Sequence, residues 1–368
     1  MEEGRTSWQP YRVARRVRES ETAVSLYLQA PDGGSLPPFR AGQFLTFRLP
    51  GPDRRPVPRN YSISSDPADL SHYRVSVKRV TAPASRPDLP PGYGSAFMHD
   101  EATVGSIVEG SAPKGQFMLD EASSRPVLLL AGGIGITPLL SMAHELARGA
   151  RPAWLVHACD NGDVQPFGDE VAALAASSPR FRAATCLLNP TARDTALARH
   201  RFSGPVTAEV LRELLPIGNY DVYLCGPAAF MQAMFALLLE LGVREEQIRY
   251  EFFGPAIVLK PAAAAALTAQ TLPPVSIVRA PGAGEPITVT FARSGAQHVW
   301  DGAERTLLDF AEAHGLEPAF SCRNGICNTC LCEAEGEVTY LDEPLEQPGP
   351  GMALICCSVP ATSLVLKL

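Results

Sequence analysis

The stretch Cys322-Arg323-Asn324-Gly325-Ile326-Cys327-Asn328-Thr329-Cys330 decides the fold of the C-terminal part of this chain. Its spacing, C-x4-C-x2-C, is typical of a [2Fe–2S] cluster held by four thiolates. Gly325 lets the backbone turn closely around such a cluster. The fourth ligand must come from further along, where Cys356 and Cys357 are the candidates. A zinc site usually pairs two short C-x2-C knuckles, so three clustered cysteines favour iron–sulfur over zinc or a chance group of buried thiols.

The sequences on both sides of this loop resemble plant-type ferredoxins. Phe320-Ser321 precedes it, and Gly351-Met352-Ala353-Leu354-Ile355-Cys356 carries the Gly-x-x-Leu-x run that comes before the fourth ligand in that family. The resemblance selects Cys356 over Cys357, and we interpret Cys332 as a packed thiol. It implies that the cluster ligands are Cys322, Cys327, Cys330 and Cys356.

Residues 1–118 alternate short apolar strands with turns rich in proline and glycine, which predicts a small antiparallel β-barrel. The segment Arg59-Asn60-Tyr61-Ser62 within it suits a flavin. Arginine can bind a phosphate, tyrosine can stack on the isoalloxazine ring, and the serine hydroxyl can donate near N5. The segment resembles the Arg-x-Tyr-Ser signature of the ferredoxin–NADP reductase superfamily.

Three further segments follow in the order of that superfamily. Val75-Ser76-Val77-Lys78-Arg79 is the next strand, Gly92-Tyr93-Gly94-Ser95 resembles a helix start whose amides and serine hydroxyl face phosphate, and Pro113-Lys114-Gly115 resembles the last barrel turn. The resemblance implies a flavin site formed by Arg59, Asn60, Tyr61, Ser62, Val77, Lys78, Gly92, Gly94 and Ser95.

Residues 119–258 alternate strands and helices, which predicts a parallel α/β sheet with ligands at the carboxyl ends of its strands. An apolar strand runs into Gly132-Gly133-Ile134-Gly135-Ile136-Thr137-Pro138, where Thr137 suits a helix N-cap and Pro138 the first helical position. Strand, glycine turn and helix start form a pyrophosphate site. The segment resembles the Gly-Gly-x-Gly-x-Thr-Pro motif of the same superfamily, which implies NAD(P) binding by Gly133, Gly135, Thr137 and Pro138.

Two later segments complete this site by resemblance. Cys225-Gly226-Pro227 follows a strand, and the family places these residues beside the nicotinamide, although Cys225 could also be a small core residue. Tyr250-Glu251-Phe252-Phe253 resembles the terminal segment of flavohaemoglobin-type reductases, where an aromatic residue, here Phe253, lies near the flavin. We interpret His144 and His157 as structural. Two aspartates and no nearby arginine at residues 159–163 favour NADH over NADPH.

The acidic residues are unevenly distributed along the 368 residues. Residues 275–368 hold 12 Asp and Glu against 5 Lys and Arg, which accounts for the whole formal net charge of −7. This segment is either a solvated acidic face or a docking face for a basic electron acceptor. The absence of a basic patch argues against nucleic acid as a partner. Reduced cysteines, a charged N-terminus and no long apolar run predict a cytoplasmic protein that does not insert into a membrane. We also expect a monomer.

Together these features predict a multidomain chain. We expect an antiparallel β-barrel flavin domain at 1–118, an α/β parallel-sheet NAD(P) domain at 119–258, a linker at 259–274 and a β-grasp [2Fe–2S] ferredoxin domain at 275–368. This order resembles the phthalate dioxygenase reductase type. The resemblance implies electron transfer from NADH (NADPH is the alternative) through FAD (or FMN) and the [2Fe–2S] cluster to a separate acceptor. A terminal oxygenase that docks on the ferredoxin domain is the expected acceptor.

We expect no catalytic residues beyond the cofactors, because the cofactors carry hydride and electron transfer. The alternative function is a non-catalytic redox sensor or electron carrier that acts by binding a partner. A third function, a stand-alone reductase of a nitrogen or sulfur compound, lacks a recognisable substrate site in the sequence.

Overall fold

The computed structural model describes residues 8–50, 57–81, 92–253, 287–316, 318, 320, 325, 330–341, 344 and 347–368. The chain divides into two compact units that meet in sequence between Phe253 and Gly254. The predicted linker at 259–274 lies outside the described residues, and the predicted domain boundaries remain predictions. Within the described ranges, no helix is long and apolar enough to cross a membrane.

The first unit begins with a six-stranded antiparallel sheet in the order β4-β3-β6-β1-β2-β5. An antiparallel bridge between Ile63 and Val75 joins its two edges, which closes the sheet into a barrel. Aromatic residues such as Phe47 and Tyr73 fill its interior. The elements are β1 (Gln9–Arg18), β2 (Ala23–Gln29), β3 (Phe44–Leu49), β4 (Val57–Ser62), β5 (Tyr73–Lys78), α1 (Tyr93–Asp100) and β6 (Ile107–Gly110).

The same unit continues as a six-stranded parallel sheet in the order β10-β9-β8-β7-β11-β12. The strand order reverses at β7, so the turns after β7 and β11 flank the crevice where α/β proteins bind ligands. The strands are β7 (Val127–Gly132), β8 (Ala153–Cys159), β9 (Phe181–Leu187), β10 (Phe202–Ser203), β11 (Asp221–Gly226) and β12 (Ile248–Phe252). The helices are α2 (Ile136–Arg148), α3 (Gly168–Ser177), α4 (Ala192–Ala196), α5 (Ala208–Leu214) and α6 (Ala228–Glu240).

The start of α2 corrects one sequence prediction. A short 3-10 turn, Gly133–Gly135, continues directly into α2, so the helix begins at Ile136 with Gly135 as its N-cap. Thr137 and Pro138 therefore occupy the second and third helical positions instead of the N-cap and the first. Proline is tolerated there because the first turn of a helix has no intrahelical partner for its N–H groups.

The second unit is a mixed sheet in the order β14-β13-β19-β15-β17, with a separate β16–β18 ladder. The N-terminal hairpin pairs in parallel with the last strand, β13 against β19, and Phe310 of the helix is buried in the same core, which gives a β-grasp arrangement. The elements are β13 (Thr288–Phe291), β14 (Ala296–Val299), α7 (Leu307–Ala313), β15 (Leu331–Glu335), β16 (Val338–Tyr340), β17 (Met352–Leu354), β18 (Ser358–Pro360) and β19 (Leu364–Leu366).

Candidate functional site

Two residues of the predicted flavin signature lie directly against the start of α1. A Cβ atom added to Gly94 would be 2.7 Å from Cγ of Arg59 and 3.1 Å from the hydroxyl oxygen of Tyr61. A larger residue at position 94 would have to displace the Arg59 and Tyr61 side chains from the helix start. No side chain caps α1 at Gly92, which suits a helix start that binds an anion. The arrangement of a guanidinium, a tyrosine ring and an uncapped helix start fits a flavin phosphate.

Ser95 is engaged within the chain. Its hydroxyl donates to the carbonyl oxygen of Gly92 at 2.8 Å and accepts from the backbone N–H of Val80 at 3.0 Å. These two bonds attach the helix start to the segment that follows β5. The proton that we expected a phosphate to receive is thus already donated to Gly92.

The other barrel residues of the predicted flavin site differ in exposure. Asn60 accepts a hydrogen bond from Thr46 at 2.9 Å, and Val77 is buried in β5. Lys78 at the end of β5 is exposed. Burial raises the pKa of Cys159 to about 12, and the Lys78 ammonium acts in the opposite direction. Lys78 therefore lies near the end of β8, on the dinucleotide side of the unit.

A carboxyl group joins the predicted flavin and nicotinamide residues. The Ser62 hydroxyl donates to Oε2 of Glu251 at 3.4 Å, and Glu251 of β12 pairs in register with Cys225 of β11. Glu251 is half-buried, and desolvation of its carboxyl raises its pKa to about 8 although the Ser62 hydrogen bond lowers it. Burial, followed by the charge of Glu251, also raises the pKa of the Cys225 thiol. The sequence motifs do not point to Glu251, and its only signal is an acidic residue inside an aromatic segment.

The glycine turns after β7 and β11 pack against each other. A Cβ atom on Gly135 would be 2.3 Å from the carbonyl oxygen of Cys225, and one on Gly226 would be 2.9 Å from Cα of Gly132. A Cβ atom on Gly132 would also be 2.9 Å from Cδ of Pro227. Side chains are excluded here by backbone, so the glycines of both motifs are needed to bring the two strand ends together. The structure thus places both predicted dinucleotide segments at one crevice.

Gly133 differs from its neighbours because the space beside it is open. Its φ is +52°, and an added Cβ atom would meet nothing within 4 Å. Thr137 and Pro138 are buried, and the Thr137 hydroxyl donates to the Ile134 carbonyl oxygen at 3.1 Å. No side chain caps α2. This turn therefore presents backbone at an open face, which fits a dinucleotide pyrophosphate, while Thr137 and Pro138 support it from within.

Two predictions about residues near this crevice have different outcomes. Phe253 is 42% exposed, which does not fit an ordinary core residue. The expectation that no arginine lies near residues 159–163 is wrong in three dimensions, since a Cβ atom on Gly162 would be 3.3 Å from Cδ of Arg199. The chain after α4 brings this arginine back to the loop, where it faces Asp194 at 3.9 Å.

The second unit contains the candidate cluster site. Cys330 and Cys356 are buried together with Cys357, whereas Cys322 and Cys327 lie outside the described residues. The Gly325 N–H donates to Sγ of Cys356 at 3.4 Å. Gly325 has a φ of +66°, and a Cβ atom there would be 2.8 Å from Sγ of Cys357. A glycine amide directed at a buried cysteine sulfur fits a cluster thiolate.

The thiol of Cys357 has a different environment from that of Cys356. Its Sγ donates to the carbonyl oxygen of Leu354 at 3.5 Å. Cys332 donates in the same way to the carbonyl oxygen of Glu333 at 3.2 Å. The Cys357 and Cys332 sulfurs thus face backbone carbonyl oxygens, whereas a cluster thiolate needs N–H donors such as that of Gly325.

Comparison with protein families identifies one known domain in each of the two units. Residues 129–235 match the oxidoreductase NAD-binding domain, and residues 290–361 match the 2Fe-2S iron-sulfur cluster binding domain. A flavohemoprotein of Rhodopirellula baltica is 41% identical over 246 residues, covering 66% of this chain and 60% of the relative. One from Xylella fastidiosa is 37% identical over 250 residues, covering 67% and 59%. The chain thus spans about 60% of the length of these curated relatives.

Two solved structures cover complementary parts of the chain. The flavohem-like FAD/NAD binding domain of nitric oxide dioxygenase from Vibrio cholerae is 31% identical, with a TM-score of 0.59, over 67% of this chain and 99% of that one. Phthalate dioxygenase reductase is 25% identical, with a TM-score of 0.55, over 98% of both chains.

These findings confirm the predicted fold class, cofactor set and enzyme class: the chain is an NAD(P)H-dependent flavoprotein oxidoreductase that carries FAD and a [2Fe–2S] cluster. It belongs to the ferredoxin–NADP reductase superfamily, as a flavohaemoglobin-type FAD/NAD-binding reductase joined to a C-terminal [2Fe–2S] ferredoxin domain.

Proposed function

We propose that this chain is the NADH-dependent reductase component of an oxygenase system and delivers single electrons to a separate terminal oxygenase. The main support for the proposal is that one chain joins a FAD/NAD-binding unit to a cluster domain. Flavohemoprotein relatives match about two thirds of the chain, whereas phthalate dioxygenase reductase covers 98% of it, cluster domain included. A bound FAD would supply the chemistry that converts a hydride from NADH into single electrons for the cluster.

The residues at the Ser62–Glu251–Cys225 junction prepare the place where flavin and nicotinamide meet. With a pKa of about 8, the Glu251 carboxyl is mostly protonated at neutral pH. A neutral acid brings no fixed negative charge to a site that receives a hydride. It also holds the Ser62 hydroxyl, which the signature places near flavin N5. Cys225, whose thiol is kept neutral by burial, adds a small uncharged surface on the nicotinamide side.

We propose NADH as the preferred coenzyme on the basis of the loop after β8. Asp160 is exposed there and is held by the amide of Asn189, whose Nδ2 donates to it at 2.6 Å. A carboxylate at this position suits the ribose hydroxyls of NADH and repels the 2′-phosphate of NADPH. Arg199, the nearby cation, faces Asp194. The test is kcat/KM for both coenzymes, and a preference for NADPH would contradict this assignment.

We propose Cys356, rather than Cys357, as the fourth cluster ligand. The Gly325 amide supports this choice because it donates to the Cys356 sulfur, whereas the Cys357 thiol donates to a backbone carbonyl. Cys356→Ser should abolish the visible absorption of the cluster, and Cys357→Ser should keep it. The measurement is the absorption spectrum and the iron and sulfide content of anaerobically purified protein. The opposite pattern would reverse the assignment.

Removing the second unit tests the order of electron transfer. A chain that ends before residue 275 should still reduce ferricyanide with NADH but should no longer reduce cytochrome c. This outcome requires that the compact unit ending at Phe253 keeps its own fold. A redox sensor or electron carrier that acts only by binding predicts almost no NADH-driven reduction of either acceptor by the intact chain.

The acceptor is proposed to dock on the acidic segment 275–368, in a cytoplasmic complex with a monomeric reductase. If so, turnover with the true acceptor should fall as salt rises, because screening weakens steering between opposite charges. Ferricyanide turnover by the same preparation is the control and should change little. An equal response of both rates would contradict docking on this segment.

A further inference from the structure

A histidine and a cysteine at the carboxyl end of β8 hold the peptide groups on both sides of Gly133. Nε2 of His157 lies 3.0 Å from the Gly133 carbonyl oxygen, and Sγ of Cys159 lies 3.2 Å from the same Nε2. Burial raises the pKa of Cys159, and the Gly133 backbone N–H acts in the opposite direction, as a donor to the sulfur. His157 and Cys159 are 1% and 8% exposed. His157 therefore contacts the carbonyl group of the residue whose φ is +52°, and Cys159 contacts His157.

The proton of His157 can be placed from these contacts. A carbonyl oxygen only accepts, so Nε2 carries the hydrogen that reaches Gly133. Burial lowers the pKa of His157 to about 4, against the opposing effect of the Gly133 hydrogen bond, so the ring is neutral at physiological pH. Nδ1 is buried and has no hydrogen-bond partner within the described structure. An apolar residue would fill this strand position without leaving a buried nitrogen unpaired. A histidine here is therefore better explained by the hydrogen bond that it donates than by packing.

The reason lies in the geometry of the peptide bond between Gly133 and Ile134. No described peptide bond is cis, and in a trans peptide the C=O and N–H groups point in opposite directions. Holding the Gly133 carbonyl oxygen against His157 therefore directs the Ile134 N–H away from β8. The Gly133 carbonyl oxygen also accepts from the Ile136 N–H within the 3-10 turn, so His157 adds a second restraint at a residue whose backbone has more freedom than any other. The open space beside Gly133 means that no side chain packs against its Cα from that side.

We propose that His157 and Cys159 are positioning residues for dinucleotide binding. They fix the turn at Gly133 so that backbone N–H groups, and not a carbonyl oxygen, face the pyrophosphate. A rotated Gly133 peptide would present a carbonyl oxygen to an anion and weaken binding. This inference rests on the dinucleotide site at Gly133, which is itself an assignment from the motif and its geometry.

The test compares variants that keep or remove the donor in the full-length, FAD-loaded chain. His157→Leu removes the N–H at similar volume, and His157→Gln keeps an N–H at similar reach. The Kd for NAD⁺, measured by calorimetry, should rise about tenfold in the leucine variant and stay within about twofold in the glutamine variant. KM for NADH should follow Kd, while FAD content and kcat at saturating NADH stay close to those of the parent.

The cysteine gives a second series that does not depend on the histidine variants folding. Cys159→Ala should weaken NAD⁺ binding and Cys159→Ser should restore most of it. Cys186→Ala is the matched control, because Cys186 is also a buried thiol and lies on the adjacent strand β9 opposite Ala158. Equal effects of Cys159→Ala and Cys186→Ala, or equal effects of His157→Leu and His157→Gln, would overturn the proposal.

A variant of the turn itself separates this proposal from the site on which it rests. Gly133→Asp places a carboxylate in the open space, and aspartate tolerates positive φ better than most residues. It should abolish NAD⁺ binding if the pyrophosphate lies there. Unchanged binding would reject the site at Gly133. Lost binding in Gly133→Asp, with unchanged binding in His157→Leu and Cys159→Ala, would reject only the positioning role.

Discussion

Two half-buried glutamates in the first unit have opposite charge states. Glu170 of α3 lies between a barrel arginine and a helix histidine. Its oxygens accept from Arg74 at 2.7 and 2.9 Å, and Nε2 of His144 is 2.6 Å away. Burial by itself would raise the pKa of Glu170, but the hydrogen bonds from His144 and Arg74 lower it to about 2. Glu170 is therefore a charged link between the barrel and the α/β domain.

Glu251 also links the two domains, but with a hydroxyl as its hydrogen-bond donor. Ser62 is at 3.4 Å, and desolvation keeps the pKa of Glu251 near 8. One carboxyl is thus kept ionised by its hydrogen-bond donors, and the other is kept protonated by its surroundings. Pairs of groups whose pKa values are driven apart often separate structural from chemical roles. The comparison assigns Glu170 to domain attachment and Glu251 to the site where the cofactors meet.

The largest expected effect follows from removing the cation beside Glu170. Arg74→Met leaves a desolvated carboxylate with one fewer partner, and we expect a loss of about 3 kcal/mol in the free energy of unfolding of the first unit. Urea unfolding followed by flavin fluorescence measures it. Arg79→Met is the control, because its partner Asp100 is largely exposed and little change is expected. Similar losses in both variants would show that Arg74 acts by packing alone.

The second prediction concerns stability and pH at Glu251. Its folded pKa of about 8 is above the usual value of 4.5, so the unfolded chain releases this proton first as pH rises. The folded state should therefore lose stability progressively as pH rises from 4.5 to 8. Glu251→Gln should remove this part of the pH dependence. An identical pH profile of unfolding in both proteins would mean that Glu251 is ionised in the fold.

A smaller effect is expected on activity. If the protonated form of Glu251 supports hydride transfer, the NADH–ferricyanide rate should fall severalfold as pH rises through about 8. The glutamine variant, which stays neutral, should lack this fall. Stopped-flow reduction of the flavin by NADH is the direct measurement. A fall that persists in Glu251→Gln would assign the titration to another group.

The smallest effect concerns the hydroxyl of Ser62. Its hydrogen bond lowers the pKa of Glu251, so Ser62→Ala should move the pH transition upward. The hydrogen bond is long, at 3.4 Å, and we expect a shift of about one pH unit at most. Rates recorded from pH 6 to 10 would detect it. A downward shift would contradict the contact between these two side chains.

The sequence by itself determined the features that depend on neighbouring residues along the chain. The C-x4-C-x2-C spacing indicated the cluster domain, and the glycine motif at 132–138 indicated the dinucleotide turn. Both motifs can be recognised in the sequence because a short loop must wrap its ligand with residues only a few positions apart. The predicted start of α2 is wrong by two positions, because the 3-10 turn before Ile136 leaves no mark in the sequence pattern.

Only the tertiary structure decided which distant residues support these motifs. The sequence gives His157 no link to the dinucleotide motif, yet its Nε2 lies 3.0 Å from the carbonyl oxygen of Gly133, 24 residues earlier in the chain. Glu251 accepts a hydrogen bond from Ser62, which is 189 residues away in the chain. Arg199 lies beside Gly162, in a loop whose own sequence contains no arginine. Sheet pairing and barrel closure bring such residues together, and a pKa depends on neighbours in space. Sequence order therefore could not reveal that Glu251 is neutral or that β8 holds the Gly133 turn.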